Sequence, residues 1–217
     1  MLSMAGLEQK DVEVRMGSVA LRGDLRLPPS AGGIVLFAHG SGSSRRSPRN
    51  VQVAEVLNRA GLGTLLFDLL TKEEEADRGN VFDVGLLAER LVAATEWVRS
   101  DQATAALPVG YFGASTGAAA ALAASVLDRR DRIGAIVSRG DRPDLAGDAL
   151  GGVRAPTLLI VGGEDRDVLE LNEQARRSMT CPTELVVVPG ATHLFEEPGT
   201  LDRVAALARD WFLSHLR

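Results

Sequence analysis

Short apolar runs alternate with amphipathic helical segments along most of this chain. The runs are rich in leucine and β-branched residues and lie at residues 33–37, 63–67, 109–112, 133–137, 157–161 and 184–188. Runs of this kind predict strands that are buried on both faces of a parallel sheet. The clearest helix lies within residues 82–100, where apolar side chains recur three or four positions apart. The alternation therefore predicts an α/β fold, with a mostly parallel sheet covered by helices on both faces.

Both ends of the chain add elements to this pattern. Two stretches of alternating polar and apolar residues, 11–16 and 18–27, meet at Gly17 and predict an antiparallel N-terminal hairpin. An amphipathic stripe near the C-terminus predicts a final helix. Because no repeat and no Pro- or Ser-rich linker divides residues 1–217, we expect one domain. The highly charged stretch 72–78 reads as a solvated loop.

Composition limits the classes of function that this chain can have. Its 217 residues carry a formal net charge of −5, which gives no broad positive field for nucleic acid or an anionic membrane surface. The single cysteine, Cys181, excludes an internal disulfide and a cysteine-based metal cage. No apolar run reaches the length of a membrane helix. We therefore expect a cytoplasmic protein that needs neither cofactor nor metal, and the sequence leaves its oligomeric state open.

The sharpest motif is the sequence Gly-Ala-Ser-Thr-Gly at residues 113–117. It follows the apolar run 109–112 and leads directly into a helix of small residues, 118–127. A serine between a strand and a helix in this pattern lies on a sharp turn that exposes its hydroxyl, and the glycines allow the chain to reverse. The motif predicts that Ser115 is a nucleophile.

A serine nucleophile requires a histidine base and an acid, which follow it in the order Ser, Asp, His in chains of this kind. His193 lies in a turn-rich loop after the last predicted strand. Asp165 follows the strand 157–161 and is the preferred acid. We expect Asp167 to cap the next helix and Glu164 to point outward. The weaker alternatives for the acid are two aspartates after the preceding strand, Asp141 and Asp144.

Backbone amides are expected to hold the oxyanion of the reaction. The Thr116 amide begins a helix, and the Ser41 amide lies in a glycine-bearing loop after the first parallel strand. His39, in the same loop, is expected to hydrogen-bond backbone atoms. Arg45, with Arg46 and Arg49 beside it, either binds a carboxylate or phosphate of the substrate or belongs to a solvated or salt-bridged loop. Phe195 is expected to border the substrate pocket.

These motifs together resemble one known family. The segments 39–42, 113–117, 162–165 and 190–193 are similar to those of the dienelactone hydrolase branch of the α/β hydrolases, and the similarity runs from about Ile34 to the C-terminus. Dienelactone hydrolases proper use a cysteine where this sequence has Ser115, so their lactone specificity does not carry over. The resemblance implies the α/β-hydrolase fold, a catalytic triad and cofactor-free ester hydrolysis.

The residues predict acyl transfer from a small carboxylic ester or lactone to water, by way of an acyl-enzyme on Ser115. A thioesterase or an acyltransferase uses the same triad and is the alternative within enzymes. A catalytically silent ligand-binding protein is the alternative outside them. The short connections 138–156 and 166–192 leave no room for a large cap, which favours short, soluble substrates.

Overall fold

The computed structural model describes residues 6–128, 133–140 and 142–216. Eight strands form one sheet in the order β1-β2-β4-β3-β5-β6-β7-β8. From β3 onward neighbouring strands run parallel, as the apolar runs predict. The strands are β1 Glu8–Met16, β2 Val19–Leu27, β3 Ile34–Ala38, β4 Gly63–Phe67, β5 Val109–Ala114, β6 Ile133–Arg139, β7 Thr157–Gly162 and β8 Thr183–Val188.

The predicted N-terminal hairpin is present. Strands β1 and β2 pair antiparallel around Gly17, which has a φ of +57°, and β2 then pairs antiparallel with β4. A positive φ favours glycine because it has no Cβ. The hairpin thus extends one edge of the parallel sheet.

The helices follow the strands as the alternation predicts, with two short additions. Ser47 caps the first helix by accepting a hydrogen bond from the Asn50 amide, and Pro48 occupies its first turn, where proline fits because no N–H is needed. Of the helices in the described residues, none is long and apolar enough to cross a membrane. The helices are α1 Pro48–Arg59, α2 Lys72–Glu75, α3 Arg78–Phe82, α4 Val84–Ser100, α5 Thr116–Leu127, α6 Arg166–Ser178 and α7 Thr200–His215, and a 3₁₀ segment spans Pro143–Gly152.

The core has two halves, one on each face of the sheet. Alternate side chains of β3 divide between them: Leu36 packs in the half that holds α4 and α5, and Phe37 packs in the half that holds α1 and α7. Burial on both faces fixes the register, because a slip of one residue would exchange the two sets of side chains. The carboxyl ends of β3, β5, β6 and β7 are consequently held at one edge of the sheet.

The charged stretch 72–78 is mostly exposed, as predicted, but it is largely helical, so the prediction of a loop is wrong. Thr71 and Glu74 form a reciprocal capping box that starts α2, and Asp77 accepts a hydrogen bond from the Gly79 amide to start α3. Glu74 also pairs with Arg90, which is buried in α4. These local hydrogen bonds turn a highly charged segment into two short helices beside the site.

Candidate active site

Ser115 occupies the sharp turn that the motif predicts. It lies between β5 and α5 with φ +52° and ψ −127°, a backbone conformation that is strained for any residue with a Cβ. Its side chain makes no capping hydrogen bond to the helix that it begins. The turn therefore presents the hydroxyl away from its own backbone.

Close backbone contacts explain the two glycines of the motif. A Cβ on Gly113 would lie 2.2 Å from the Ala118 Cα, and a Cβ on Gly117 would lie 2.2 Å from the Ala38 carbonyl oxygen. Both distances are well inside van der Waals contact. Glycine at these positions lets α5 begin directly against β5 and against the end of β3.

His193 and Asp165 are brought together across 28 residues of sequence. The Nδ1 atom of His193 lies 2.7 Å from the Asp165 Oδ2, which is the geometry of a hydrogen bond donated by the imidazole to the carboxylate. The backbone joins their loops as well, because the Glu164 amide donates to the Ala191 carbonyl at 3.0 Å. A proton held on Nδ1 leaves Nε2 as the basic nitrogen of the ring.

The other carboxylates considered for this role are placed elsewhere. Asp165 itself stands at the N-cap position of α6, so the expectation that Asp167 is the cap is wrong. The Asp165 side chain does not cap the helix because it is directed to His193. Asp167 and Glu164 are exposed, and Asp144 pairs with Arg142. Asp141 lies outside the described residues.

Glu197 braces the loop that carries His193, and it was missed by sequence reasoning. Its carboxylate accepts hydrogen bonds from the Thr192 amide at 3.1 Å and from the Thr192 hydroxyl at 2.6 Å. The hydrogen bond from the hydroxyl is the main cause of a lowered pKa for Glu197. The brace fixes the residue next to His193 and so limits the motion of the imidazole.

Ser115 and His193 line one cavity of about 250 Å³ at the carboxyl edge of the sheet. A neighbouring cavity of about 600 Å³ shares five of its lining residues, among them Ser41 and Arg49, and adds apolar walls from Leu70, Val81 and Leu87. Within the described parts of the chain, no group of three or more histidine, cysteine, aspartate or glutamate side chains could hold a metal ion. The arrangement of serine, histidine and aspartate suits nucleophilic catalysis.

A solved structure shows a close likeness over nearly the whole chain. The crystal structure of a dienelactone hydrolase from Anabaena variabilis has 56% sequence identity and a TM-score of 0.94, and the match covers 97% of this chain and 99% of that one. This chain belongs to the dienelactone hydrolase family of the α/β hydrolases. The resemblance inferred from the motifs is confirmed, as is the predicted fold.

Further comparisons support the fold and add one larger relative. An esterase domain from a Rhodothermus marinus protein has a TM-score of 0.77 at 19% identity, over 96% of this chain and 99% of that domain. A Mycobacterium tuberculosis protein named "Putative phosphoribosyl transferase" is 61% identical over 210 residues, which are 97% of this chain and 47% of that protein. This chain thus spans about half the length of that relative. No protein-family model matches the chain.

The loop after β3 in this family member is organised by His39, as expected. Its Nε2 accepts a hydrogen bond from the Leu69 amide at 3.0 Å, and its Nδ1 lies 3.0 Å from the Gly40 carbonyl. Burial lowers the pKa of His39 and keeps the ring neutral. His39 therefore ties the loop after β3 to the loop after β4.

The Ser41 amide has a different acceptor from the oxyanion that the sequence predicts for it. It donates instead to the Thr116 hydroxyl oxygen at 2.9 Å. The two loops approach closely at this point, since a Cβ on Gly40 would lie 3.0 Å from the Ser115 Cβ. Thr116 consequently offers both a backbone amide at the start of α5 and a hydroxyl beside it.

Two residues expected to contact substrate are placed elsewhere. Arg45 is held by Asp68, through hydrogen bonds from both its amide and its guanidinium, and lies 3.5 Å from Asp24. It belongs to a salt-bridged loop and does not line the cavity of Ser115. Phe195 is only 1% exposed and packs beneath the guanidinium of Arg139, whose Cζ lies 5.8 Å from the ring centroid. Leu194 lines the cavity in its place.

Arg139 lines the cavity and was not singled out from the sequence. It ends β6, where its backbone pairs in register with Ala114 and its carbonyl accepts a hydrogen bond from the Ser115 amide at 3.1 Å. Its side chain is 6% exposed. The signal that could have identified it is a lone charge at the end of an apolar strand, at the edge of the sheet where active sites form.

Proposed function

We propose that this chain is a serine hydrolase that cleaves small carboxylic esters or lactones through an acyl-enzyme on Ser115. The observation that carries the proposal is the strained turn at Ser115, which opens on the same cavity as His193. Strain of this kind persists where the surrounding structure enforces it, and it is concentrated at active sites. The hydrogen bond from His193 to Asp165 supports it further.

In the proposed reaction, His193 Nε2 accepts the proton of the Ser115 hydroxyl as the oxygen attacks the acyl carbon. Asp165 holds the ring in the required tautomer and stabilises the imidazolium that forms. His193 then returns the proton to the leaving alcohol. A water molecule repeats the sequence on the acyl-enzyme and releases the acid. Every proton is thus moved by the same imidazole.

Thr116 is the proposed oxyanion donor. Its amide is one of the first in α5, and such amides have no acceptor within their own helix. Its hydroxyl accepts from the Ser41 amide and keeps its own hydrogen for donation. We therefore assign Ser41 the role of orienting and polarising the Thr116 hydroxyl, in place of direct contact with the oxyanion.

Two alternatives to this proposal differ from it in the acceptor of the acyl group or in the substrate. A thioesterase or acyltransferase would use the same triad, and the name of the mycobacterial relative raises the prospect of a phosphorylated substrate. That relative is about twice as long as this chain, so its name can describe a part that this chain does not match. A silent ligand-binding protein would have no reason to keep the strained serine.

Labelling with a fluorophosphonate probe tests the proposal directly. We expect the native protein to be labelled on Ser115 and the Ser115→Ala variant to remain unlabelled. Ser44→Ala is the matched control, because Ser44 does not line the cavity of Ser115 and its substitution should leave labelling intact. A folded native protein that does not react with the probe would point to the silent binding protein.

A further inference from the structure

Arg139 has a buried guanidinium that lies over the Phe195 ring but has no carboxylate partner in the part of the chain that the structure describes. Its Nε and Nη1 atoms are shielded from solvent and make no hydrogen bond, and no carboxylate in the described residues forms an ion pair with it. Burial, and secondarily the charge of Arg49, lowers its pKa to about 10, which still leaves it charged at neutral pH. An unpaired buried charge is strongly unfavourable, so its retention calls for an explanation.

Most polar side chains around Arg139 are suited to an anion, and the exception is Asn50, whose buried Oδ1 is an acceptor without a hydrogen bond. The cavity is also lined by Arg49, by Ser43 and by Ser47 at the start of α1, and no carboxylate is found among its described lining residues. Arg49 Nε is likewise buried without a partner, whereas its Nη1 pairs with Glu196 at 3.1 Å. The start of α1 adds the positive end of the helix dipole, although Pro48 has no N–H and the Asn50 amide already donates to the Ser47 hydroxyl.

We propose that this cavity binds a phosphate group on the substrate, with Arg139 and Arg49 as its principal ligands. This proposal rests on the proposed esterase function in one respect. It assumes that the bound phosphate is part of the molecule whose ester is cleaved at Ser115. The phosphate itself is not transferred. It anchors the substrate beside the nucleophile.

The spread of donor groups over three segments favours a phosphate over a carboxylate. The cavity is lined by Arg139 at the end of β6, by Ser47 and Arg49 at the start of α1 and by Ser43 in the loop after β3, and donors from three segments suit a tetrahedral group better than a planar one. A phosphate monoester also carries a charge of roughly −1.5 to −2 at neutral pH. This negative charge is close to the positive charge around the cavity. That positive charge comes from Arg139, from Arg49, which Glu196 partly neutralises, and from a helix start of roughly half a positive charge.

Calorimetric titration of the native protein with inorganic phosphate tests the site without relying on catalysis. We expect phosphate to bind, and Arg139→Met to weaken binding at least about tenfold. Arg139→Lys, which keeps the charge but loses the fork of donors, should weaken binding to a smaller extent. The matched control is Arg46→Met, since exposed Arg46 begins the same segment without lining this cavity.

Three results would overturn the proposal. The first is acetate binding as tightly as phosphate at equal ionic strength, which would make the ligand a carboxylate. The second is an equal loss of phosphate binding in Arg46→Met and Arg139→Met, which would show diffuse surface attraction. The third is the absence of phosphate binding to the folded native protein. Thermal unfolding of Arg139→Met checks that this variant is folded, and Arg139→Lys decides the matter if it is not.

A matched pair of esters then tests whether the phosphate site contributes to catalysis. We expect kcat/KM for acetylated glycerol 3-phosphate to exceed that for acetylated glycerol at least about tenfold, and this ratio to fall toward one in Arg139→Met. Equal rates on both esters in the native enzyme would contradict the assignment of the phosphate to the substrate. If neither ester is cleaved, the proposed esterase function fails, whereas calorimetry still decides whether the phosphate site exists.

Discussion

Replacing Ser115 by glycine should abolish activity and stabilise the protein at the same time. Ser115 has a φ of +52° and a ψ of −127°, where a residue with a Cβ is strained by about 1 to 3 kcal/mol. Glycine removes that strain, although the unfolded chain gains freedom that costs about 0.5 to 1 kcal/mol. Alanine keeps the Cβ and therefore keeps the strain.

The two variants give a direct measure of this strain. We expect Ser115→Gly to be more stable than Ser115→Ala by up to about 2.5 kcal/mol, the part of the strain left after the entropy of glycine is subtracted. In a domain of this size, 1 kcal/mol shifts Tm by about 2 to 4 °C. Ser115→Gly should therefore have a Tm higher than that of Ser115→Ala by up to about 10 °C, with both variants inactive.

Scanning calorimetry and urea denaturation of both variants provide the assay. Ser178→Gly is a suitable control, because Ser178 ends α6 and helical backbone gains nothing from a glycine there. It should lose up to about 1 kcal/mol. If Ser115→Ala proves at least as stable as Ser115→Gly, the turn is not strained and the main support for the nucleophile disappears.

Four further predictions follow from the same geometry. Asp165→Asn should lower kcat by roughly a thousandfold or more, whereas Asp167→Asn, exposed in the first turn of α6, should leave kcat within about twofold; the reverse ranking would reassign the acid. Thr116→Val should lower kcat roughly tenfold to a hundredfold and Thr116→Ser should restore it, and equal rates in all three proteins would exclude the hydroxyl as a donor. Because burial lowers the pKa of His39, stability should fall as the pH drops below about 6.5, and urea denaturation should show a flatter pH dependence in His39→Gln. Among p-nitrophenyl esters, kcat/KM should be highest from acetate to butyrate, because the cavity at Ser115 measures only about 250 Å³; a maximum at decanoate would reveal a longer channel.

The features that the sequence predicts well are those written in local patterns. The strand 63–67 has the predicted bounds, and the helix capped at Ser47 begins where the serine and proline indicate. The nucleophile turn is equally local, since its glycines, strand and helix are consecutive. Short patterns of this kind determine backbone conformation before distant contacts form, and so they remain readable in a single sequence.

The features that were missed depend on contacts between distant segments. The two helices within residues 72–82 need the pairing of Glu74 with Arg90, sixteen positions away, in addition to their capping box. Asp165 and Asp167 could not be ranked as helix caps, because both are aspartates at the start of the same helix and only the position of His193 separates them. Burial of Arg139 likewise follows from Phe195 and from the loop that carries it.

Two destabilising features, a strained backbone and a buried charge without a carboxylate partner, lie at the ends of neighbouring strands of this sheet. The strained Ser115 follows β5, the unpaired Arg139 ends β6, and the Ser115 amide donates to the Arg139 carbonyl. Each feature lowers stability, because the contact of Arg139 with Phe195 does not replace the hydrogen bonds that its buried Nε and Nη1 lack. Selection against destabilising residues removes such costs unless function depends on them. Ser115 and Arg139 line one cavity, and their backbones are joined by a hydrogen bond. We therefore place them in the same site, where the Arg139 guanidinium holds the substrate that Ser115 attacks.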